Sequence, residues 1–198
     1  AVYSGLVSGD TFNGTYTGVF SNANVGSGKT VTITPSYAGA DVNNYSVTDQ
    51  STTTADISAK ALTATASASN KTYDGGTTAS TTLILSGFIG SETLTSSTSS
   101  SFNNKNVGTG KAVTVNSITL ADGTNGGLAA NYSISAGQTT TANITPKSLT
   151  VSGITASNKI YDGNTVATLD TTSVTYSGLV SGDSFAGSYS GLFSDKNI

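Results

Sequence analysis

Asn70-Lys71-Thr72-Tyr73-Asp74-Gly75 returns as Asn158-Lys159-Ile160-Tyr161-Asp162-Gly163, with Tyr161 standing 88 positions after Tyr73. Asp-Gly is a tight-turn dipeptide, because Gly accepts the positive φ that the turn needs and the Asp carboxylate can accept local backbone N–H bonds. The preceding Tyr supplies a large apolar ring that can pin the turn to a core while its hydroxyl stays at the rim. Lys71, Tyr73, Asp74 and Gly75, with Lys159, Tyr161, Asp162 and Gly163, therefore read as a structural turn motif that occurs twice, not as a reactive site.

Working outward, the rest of the chain aligns to itself around these two turns. Tyr3-Ser4-Gly5-Leu6-Val7-Ser8-Gly9-Asp10 recurs unchanged as Tyr176 to Asp183, and Leu85-Ser86-Gly87-Phe88-Ile89-Gly90-Ser91-Glu92 is a looser middle copy. Phe20 to Lys29, ending in Val25-Gly26-Ser27-Gly28-Lys29, matches Phe102 to Lys111, and a third copy begins at Phe193. Asn43-Asn44-Tyr45-Ser46-Val47 matches Ala130-Asn131-Tyr132-Ser133-Ile134. Self-similarity at a fixed period marks tandem units. The phase is residues 1–59, the later part of one repeat; 60–147, a complete repeat; and 148–198, the start of a further one. Starting at Ala1 inside a recognisable repeat, the chain is expected to be an internal segment of something longer.

Within each repeat the apolar residues alternate. Val31 and Ile33 are flanked by Thr30, Thr32 and Thr34; Val113 and Val115 follow the same pattern; Leu62, Ala64, Ala66 and Ala68 alternate with Thr63, Thr65 and Ser67. Period 2 is the signature of a strand with one wet face. No stretch of ten or more residues combines a 3.6-residue period with capping signals, so helix should be minor. The expected fold is all-β: tandem small domains, sandwich or β-grasp-like, joined by short stiff junctions into a rod or fibre. The junctions lack Gly/Ser linkers, and Pro146 biases Thr145 toward extended backbone. Ala59 replaces that proline in the first junction. The extra residue between Lys147 and Tyr161 is assigned to a β-bulge at Gly153. Residues 121–127 form an insertion with two turn dipeptides, an exposed loop. Ser96 to Ser101 reads as a loop or an edge strand.

Composition narrows function. Only 10% of residues are charged and the net charge is −3, with Arg absent. An average soluble domain carries roughly 25% charged residues. Nucleic-acid binding needs a concentrated basic surface, which this chain lacks. Cys, His, Met and Trp are all missing. No disulfide is possible, and a cysteine-free chain suits export through an oxidising space. No stretch reaches the ~18 apolar residues of a membrane span. Without His or Cys, acid–base, nucleophilic and soft-metal chemistry has little to use, so no enzyme is expected.

The Lys-x-Tyr-Asp-Gly signature, with downstream Ser-Gly-Leu-Val-x-Gly-Asp and Asn-Tyr followed by Ile-Thr-Pro-Lys, resembles the YDG-type and related MBG-type repeats of filamentous haemagglutinin-like bacterial secreted adhesins. The resemblance covers essentially the whole chain. It implies secretion to the cell surface or a biofilm matrix and a stalk or fibre role, and it carries no catalytic residues. Partners are then neighbouring repeats of the same or identical chains, with matrix glycans or a host surface as further candidates. The alternative is a carbohydrate- or protein-binding adhesin module.

Asp10, Glu92 and Asp183 follow Ser-Gly or Gly-Ser and read as Asx-type turns. A calcium site needs six to eight converging oxygens, for which Asp74 or Asp122 with loop carbonyls offers a weak basis, so no metal or cofactor is expected. An intramolecular isopeptide bond would need recurrent Lys (29/111, 60/147, 71/159) beside recurrent Asn (44/131, 70/158). Tyr3, Tyr16, Tyr176 and Tyr189 are glycan-stacking candidates, or else core residues pointing inward.

Overall fold

A computed structural model describes residues 3–196. Ala1, Val2, Asn197 and Ile198, the outermost residues of the first and third repeats, lie outside the described residues. Regular structure within that range is strand, with two three-residue 3-10 turns at Val42–Asn44 and Ala129–Asn131. The chain is all-β.

The first repeat contains β1 (Asn13–Phe20), β2 (Gly26–Ala38) and β3 (Thr52–Ile57), an antiparallel sheet in the order β1-β2-β3. The middle repeat contains β4 (Lys60–Ala61), β5 (Thr63–Ala68), β6 (Lys71–Thr72), β7 (Thr81–Ser86), β8 (Leu94–Phe102), β9 (Gly108–Asp122), β10 (Tyr132–Ser133) and β11 (Thr139–Thr145). The third contains β12 (Thr150–Ser152), β13 (Thr155–Ala156), β14 (Val166–Ala167), β15 (Leu169–Asp170), β16 (Thr175–Ser177) and β17 (Gly191–Leu192).

By spatial proximity the chain forms two compact units; four of their five boundaries fall inside β5, β7, β8 and β9 and the fifth between β10 and β11, not at the ends of the sequence repeats. The first unit comprises Ala1–Ala64, Leu85–Ser96 and Thr119–Ser135. Its main sheet is β1-β2-β3, with Phe20 opposite Val31 and Gly18 opposite Ile33. Pro35 sits in the central strand because β3 pairs only with Gly26 to Thr32, leaving that edge of β2 free of a partner at the proline. In the same unit β4 pairs in parallel with β10, Tyr132 opposite Lys60, and Leu62 N–H donates to Ser133 O at 2.8 Å. Leu62 and Tyr132 are both buried there.

The second unit comprises Thr65–Ile84, Ser97–Ile118 and Ala136–Ile198. It holds the best-packed core of the described chain: Phe102, Val113, Ala142 and Ile144, with Ala68, Tyr73 and Ala79 packed on them. Val113 is fully buried and Ile144 is 1% exposed. A fully buried aliphatic side chain contributes about 1.5–3 kcal/mol. Phe102, Val113, Ala142 and Ile144 come from a four-stranded sheet in the order β6-β11-β9-β8, while β5 and β7 pair separately as a second layer. β6 joins by a short parallel pairing with β11, Lys71 opposite Ile144.

The repeats share backbone devices as well as sequence. Register shifts between Gly26 and Lys29 on β2, and between Ala142 and Ile144 on β11, fall at the same place in the two copies. The Gly-x-Gly-Lys turn is the cause: Gly28 and Gly110 both have φ +59°, and their N–H groups donate to Asp56 Oδ1 (2.7 Å) and Asn143 Oδ1 (2.8 Å). Ser96 to Ser101 is strand and not loop, lying in β8 at the end of the four-stranded sheet. Its hydroxyls explain how a serine run tolerates partial burial: Thr81 Oγ1 lies 2.7 Å from Ser100 Oγ and 2.9 Å from Thr98 Oγ1. Gly153 has φ +85° and marks a break between the β12·β16 and β13·β15 ladders. The insertion is shorter than its sequence suggests, since Ala121 and Asp122 still belong to β9.

Candidate functional site

The repeated turn is built around its lysine. Lys71 Nζ lies 2.7 Å from Asp74 Oδ1 and donates to Gly76 O (2.9 Å) and Thr78 O (3.1 Å), while Gly76 N–H donates to the same Asp74 oxygen at 2.9 Å. Lys159 repeats this: 2.7 Å to Asp162 Oδ1, 2.9 Å to Asn164 O and 3.2 Å to Val166 O, with Asn164 N–H on Asp162 Oδ1 at 3.1 Å. Each ammonium also lies over a phenylalanine ring, Lys71 at 5.7 Å from the Phe102 centroid and Lys159 at 5.8 Å from that of Phe193. Gly75 and Gly163 close the turns with φ +82° and +78°.

One carboxylate and two convergent carbonyls are the ligand set of a weak cation site, and here the cation is the chain's own lysine. The ammonium holds the Asp74 carboxyl below the usual carboxylate range, helped by Gly76 N–H. Lys159 and the Asn164 N–H do the same for Asp162. The lysine is the member whose role sequence reasoning missed. Its signal was the i, i+3 spacing of Lys and Asp across an Asp-Gly turn.

Tyr73 packs on the core cluster as an anchor should. Tyr161 does not: it is 57% exposed. The side chains that receive Tyr73 come from β8, β9 and β11, and the described part of the third repeat has only the short β17 in place of that layer. For the same reason Lys71–Thr72 is a strand, paired with β11, while Lys159–Ile160 is not.

The Leu-Val-x-Gly-Asp turns hold a second recurrent arrangement, which corrects the Asx-turn expectation. Asp10 accepts the hydroxyl of Tyr45, which in turn accepts Val7 N–H at 3.0 Å. In the middle repeat Tyr132 Oη donates to Glu92 Oε2 at 2.5 Å and accepts Ile89 N–H at 3.0 Å. The carboxylates thus clasp a tyrosine from the Asn-Tyr segment 35 or 40 residues away. Those carboxylates push both phenols above the usual tyrosine range, Asp10 acting on Tyr45 and Glu92 on Tyr132. Asp183 instead meets Lys105 at 3.5 Å.

Lys29, Lys71, Lys111 and Lys159 take partners other than Asn44, Asn131, Asn70 and Asn158. Lys111 Nζ donates to Asn104 at 2.6 Å and Lys29 to Asn22, both exposed contacts. Asn70 accepts Asn143 N–H at 2.7 Å, and Asn131 turns to the neighbouring repeat. Asp122 Oδ1 accepts Ala129 N–H at 2.7 Å. Tyr16 pairs with Tyr3 (3.4 Å) and Tyr189 with Tyr176 (3.0 Å) through their hydroxyls. Tyr16 stays 43% exposed, so the pair lies beside a core face and not within one.

Contacts between successive repeats are specific. In the first unit, Asn131 Oδ1 accepts Val25 N–H at 2.9 Å and its Nδ2 donates to Asn24 at 3.1 Å, tying the middle repeat to the Asn-Val-Gly turn of the first. In the second unit, Tyr73, Val107, Leu179 and Val180 line a shallow depression of about 250 Å³ where the third repeat follows the middle one.

A family model described as YDG domain matches residues 1–55, 58–142 and 145–198, three consecutive copies. No curated protein and no solved structure matches the chain.

Proposed function

The chain belongs to the YDG domain family, and on that premise we propose that it is a structural stalk or fibre segment of a secreted bacterial surface adhesin or extracellular matrix filament. The filamentous haemagglutinin-like class is the finer reading, and extracellular display comes with it. The observation that carries the proposal is the junction between the first and middle repeats. Only Ser58 and Ala59 separate β3 from β4, and Asn131 grips Asn24 and Val25 across the join. A two-residue junction with a polar latch suits a repeat that transmits tension, because it leaves little free chain to extend. The non-catalytic part of the reading rests on the absence of His and Cys from the sequence.

The test is the solution scattering of polypeptides carrying increasing numbers of these repeats. A stalk predicts a maximum dimension that grows in proportion to repeat number; beads on a flexible string predict growth closer to its square root. Immunolabelling of intact cells tests the surface location.

The binding-module alternative has one observation in its favour: a groove of about 530 Å³ on the first repeat, lined by Tyr3, Tyr16, Tyr37, Asp49 and Gln50. Aromatic rings beside Asp and Gln are what a glycan site uses. The floor of the groove is Val31 and Ile33, however, and their counterparts Val113 and Val115 are fully buried core in the middle repeat. That favours an uncovered core face over a glycan cleft.

A further inference from the structure

Two turns that the sequence repeats, Tyr-Asp-Gly and Leu-Val-x-Gly-Asp, meet in the second unit, one from each of two successive repeats. Tyr73 and Val107 of the middle repeat share a depression with Leu179, Val180 and Asp183 of the third. Gly75 makes the close approach possible, since a Cβ there would stand 2.8 Å from Val180 Cγ1. Beside it, Lys105 Nζ lies 3.5 Å from Asp183 Oδ1 and 6.0 Å from the Tyr73 ring centroid. The middle repeat organises its side of this contact by itself. Tyr73 N–H donates to Thr145 O at 2.9 Å, and Gly108 pairs with Ile144 on the same strand. Asn104 Oδ1 accepts Asn106 N–H at 3.0 Å and Lys111 Nζ at 2.6 Å, which closes the loop carrying Lys105 and Val107. The entering turn is equally self-contained: Asp183 N–H donates to Val180 O at 3.0 Å.

The first join, in the first unit, uses the corresponding loop with different chemistry. Asn24 and Val25 stand at the positions of Asn106 and Val107, and Asn22 closes that loop as Asn104 does. What meets it is Asn131, next to Tyr132, whose hydroxyl holds the Ile89 to Glu92 turn. Ala23 stands in place of Lys105, and the acid of the turn, Glu92, is taken by Tyr132. We propose that the Tyr-Asp-Gly turn and the Asn-Val-Gly loop of the middle repeat form a docking seat for the Leu-Val-x-Gly-Asp turn of the repeat that follows, with Lys105 and Asp183 as the pair that selects which repeat can follow. Tyr73, Gly75 and Val107 give the seat its shape, and Lys105 gives it a sign. A following repeat with an acid at the position of Asp183 is accepted; one with a base there brings like charges together and is rejected. With Ala23 at the corresponding place, the first join lacks that discrimination and relies on the Asn131 amide. The inference goes beyond the stalk reading and does not depend on it, because the seat fixes neighbouring repeats whatever the length, shape or location of the array.

A lysine-specific protease reads this joint, because Lys147 lines the same depression and its counterpart at the first join, Lys60, serves as an internal reference. In the 198-residue chain, Val180→Asp should speed cleavage after Lys147 several-fold while cleavage after Lys60 keeps the parental rate. Lys105→Glu should speed cleavage after Lys147 by up to about fivefold, the scale of an exposed ion pair. Adding Asp183→Arg to Lys105→Glu reverses the pair and should restore the parental rate, which a merely local loosening of either turn would not do. Cleavage after Lys147 that Val180→Asp leaves unchanged overturns the proposal. So does a reversed pair that is cut as fast as Lys105→Glu alone, or an acceleration that Lys60 shares.

Discussion

Lys71 Nζ and Asp74 Oδ1 are 2.7 Å apart, and Lys159 Nζ and Asp162 Oδ1 are also 2.7 Å apart. The agreement extends to the two carbonyls that each ammonium takes from the residues after the turn. An ammonium is compact and has three donors, which fits one carboxylate and two carbonyls. Lys71→Met should destabilise the middle repeat by about 1–3 kcal/mol, because the Asp74 carboxylate and the Gly76 and Thr78 carbonyls lose a charged donor. Lys71→Arg should recover little, since a planar fork does not fit that cage. Chemical denaturation of the two variants checks both statements. With the lysine in the cation's place, a chelator should leave the melting curve of the parent unchanged; a large drop would return Asp74 and Asp122 to consideration as metal ligands.

Gly75→Val and Gly163→Val should each cost about 1–3 kcal/mol, because a β-branched residue is forced to positive φ. Gly75→Val should be the worse of the two. A Cβ there would stand 2.8 Å from Val180 Cγ1, while one at Gly163 would meet open space. Equal melting of parent and Gly163→Val would remove the conformational argument at that turn.

The pH dependence follows from the direction of the shifts. The carboxyls of Asp74 and Asp162 are lowered by their lysines and turn N–H groups, and that of Asp170 by the backbone and hydroxyl donors of Thr172. A carboxyl with a depressed pKa in the folded chain contributes stability that is complete above its unfolded pKa of about 3.9 and is lost as pH falls through the folded value. Stability should therefore decline below about pH 4, and a chain carrying Asp74→Asn, Asp162→Asn and Asp170→Asn should decline less steeply. Melting temperatures from pH 7 down to pH 2 measure the difference. The tyrosine clasps act at the other extreme. Tyr45 and Tyr132 are raised by Asp10 and Glu92, so their contribution is complete below about pH 10 and lost as pH rises through the folded values. Tyr132→Phe should flatten the alkaline limb.

What was legible in the sequence was local. Leu62, Ala64, Ala66 and Ala68 point inward and Thr63, Thr65 and Ser67 outward, as period 2 requires. Gly75 and Gly163 take the left-handed backbone that an Asp-Gly turn predicts. What was not legible was nonlocal. Nothing in the Leu-Val-x-Gly-Asp turn announces that its acid will meet a tyrosine 35 residues on, so an Asx turn was the natural reading. The Ser96 to Ser101 run, read as a loop or an edge, lies in β8 at the end of its sheet; what its sequence did not announce is the hydroxyl partner it finds in Thr81. Tyr161 repeats Tyr73 letter for letter and differs in exposure, because an anchor needs a layer to pack against and its own sequence cannot supply one.

The core makes that contrast measurable. Ile144 is 1% exposed, so Ile144→Ala should cost about 2–5 kcal/mol, the range for truncation at a site that cannot collapse. Its counterpart Ile57 is only partly buried, and Ile57→Ala should cost clearly less in dilute solution. Denaturant titration of both variants at low concentration gives the comparison.

The join between repeats supplies the last prediction. Asn131 uses both ends of its amide on the first repeat, accepting Val25 N–H and donating to Asn24. Its counterpart in the first repeat, Asn44, is exposed and serves as the matched control. Asn131→Ala removes two hydrogen bonds across the join without touching the Phe102, Val113, Ala142 and Ile144 core in the second unit. The fold of each repeat should therefore survive while their coupling weakens. The measurable consequences are a broader melting transition, faster cleavage by protease near Ser58–Ala59, and a wider spread of dimensions in solution scattering. Asn44→Ala should produce none of these. Should the two variants behave alike in all three measurements, the latch contributes nothing to the junction, and the two-residue link between β3 and β4 must carry the coupling alone.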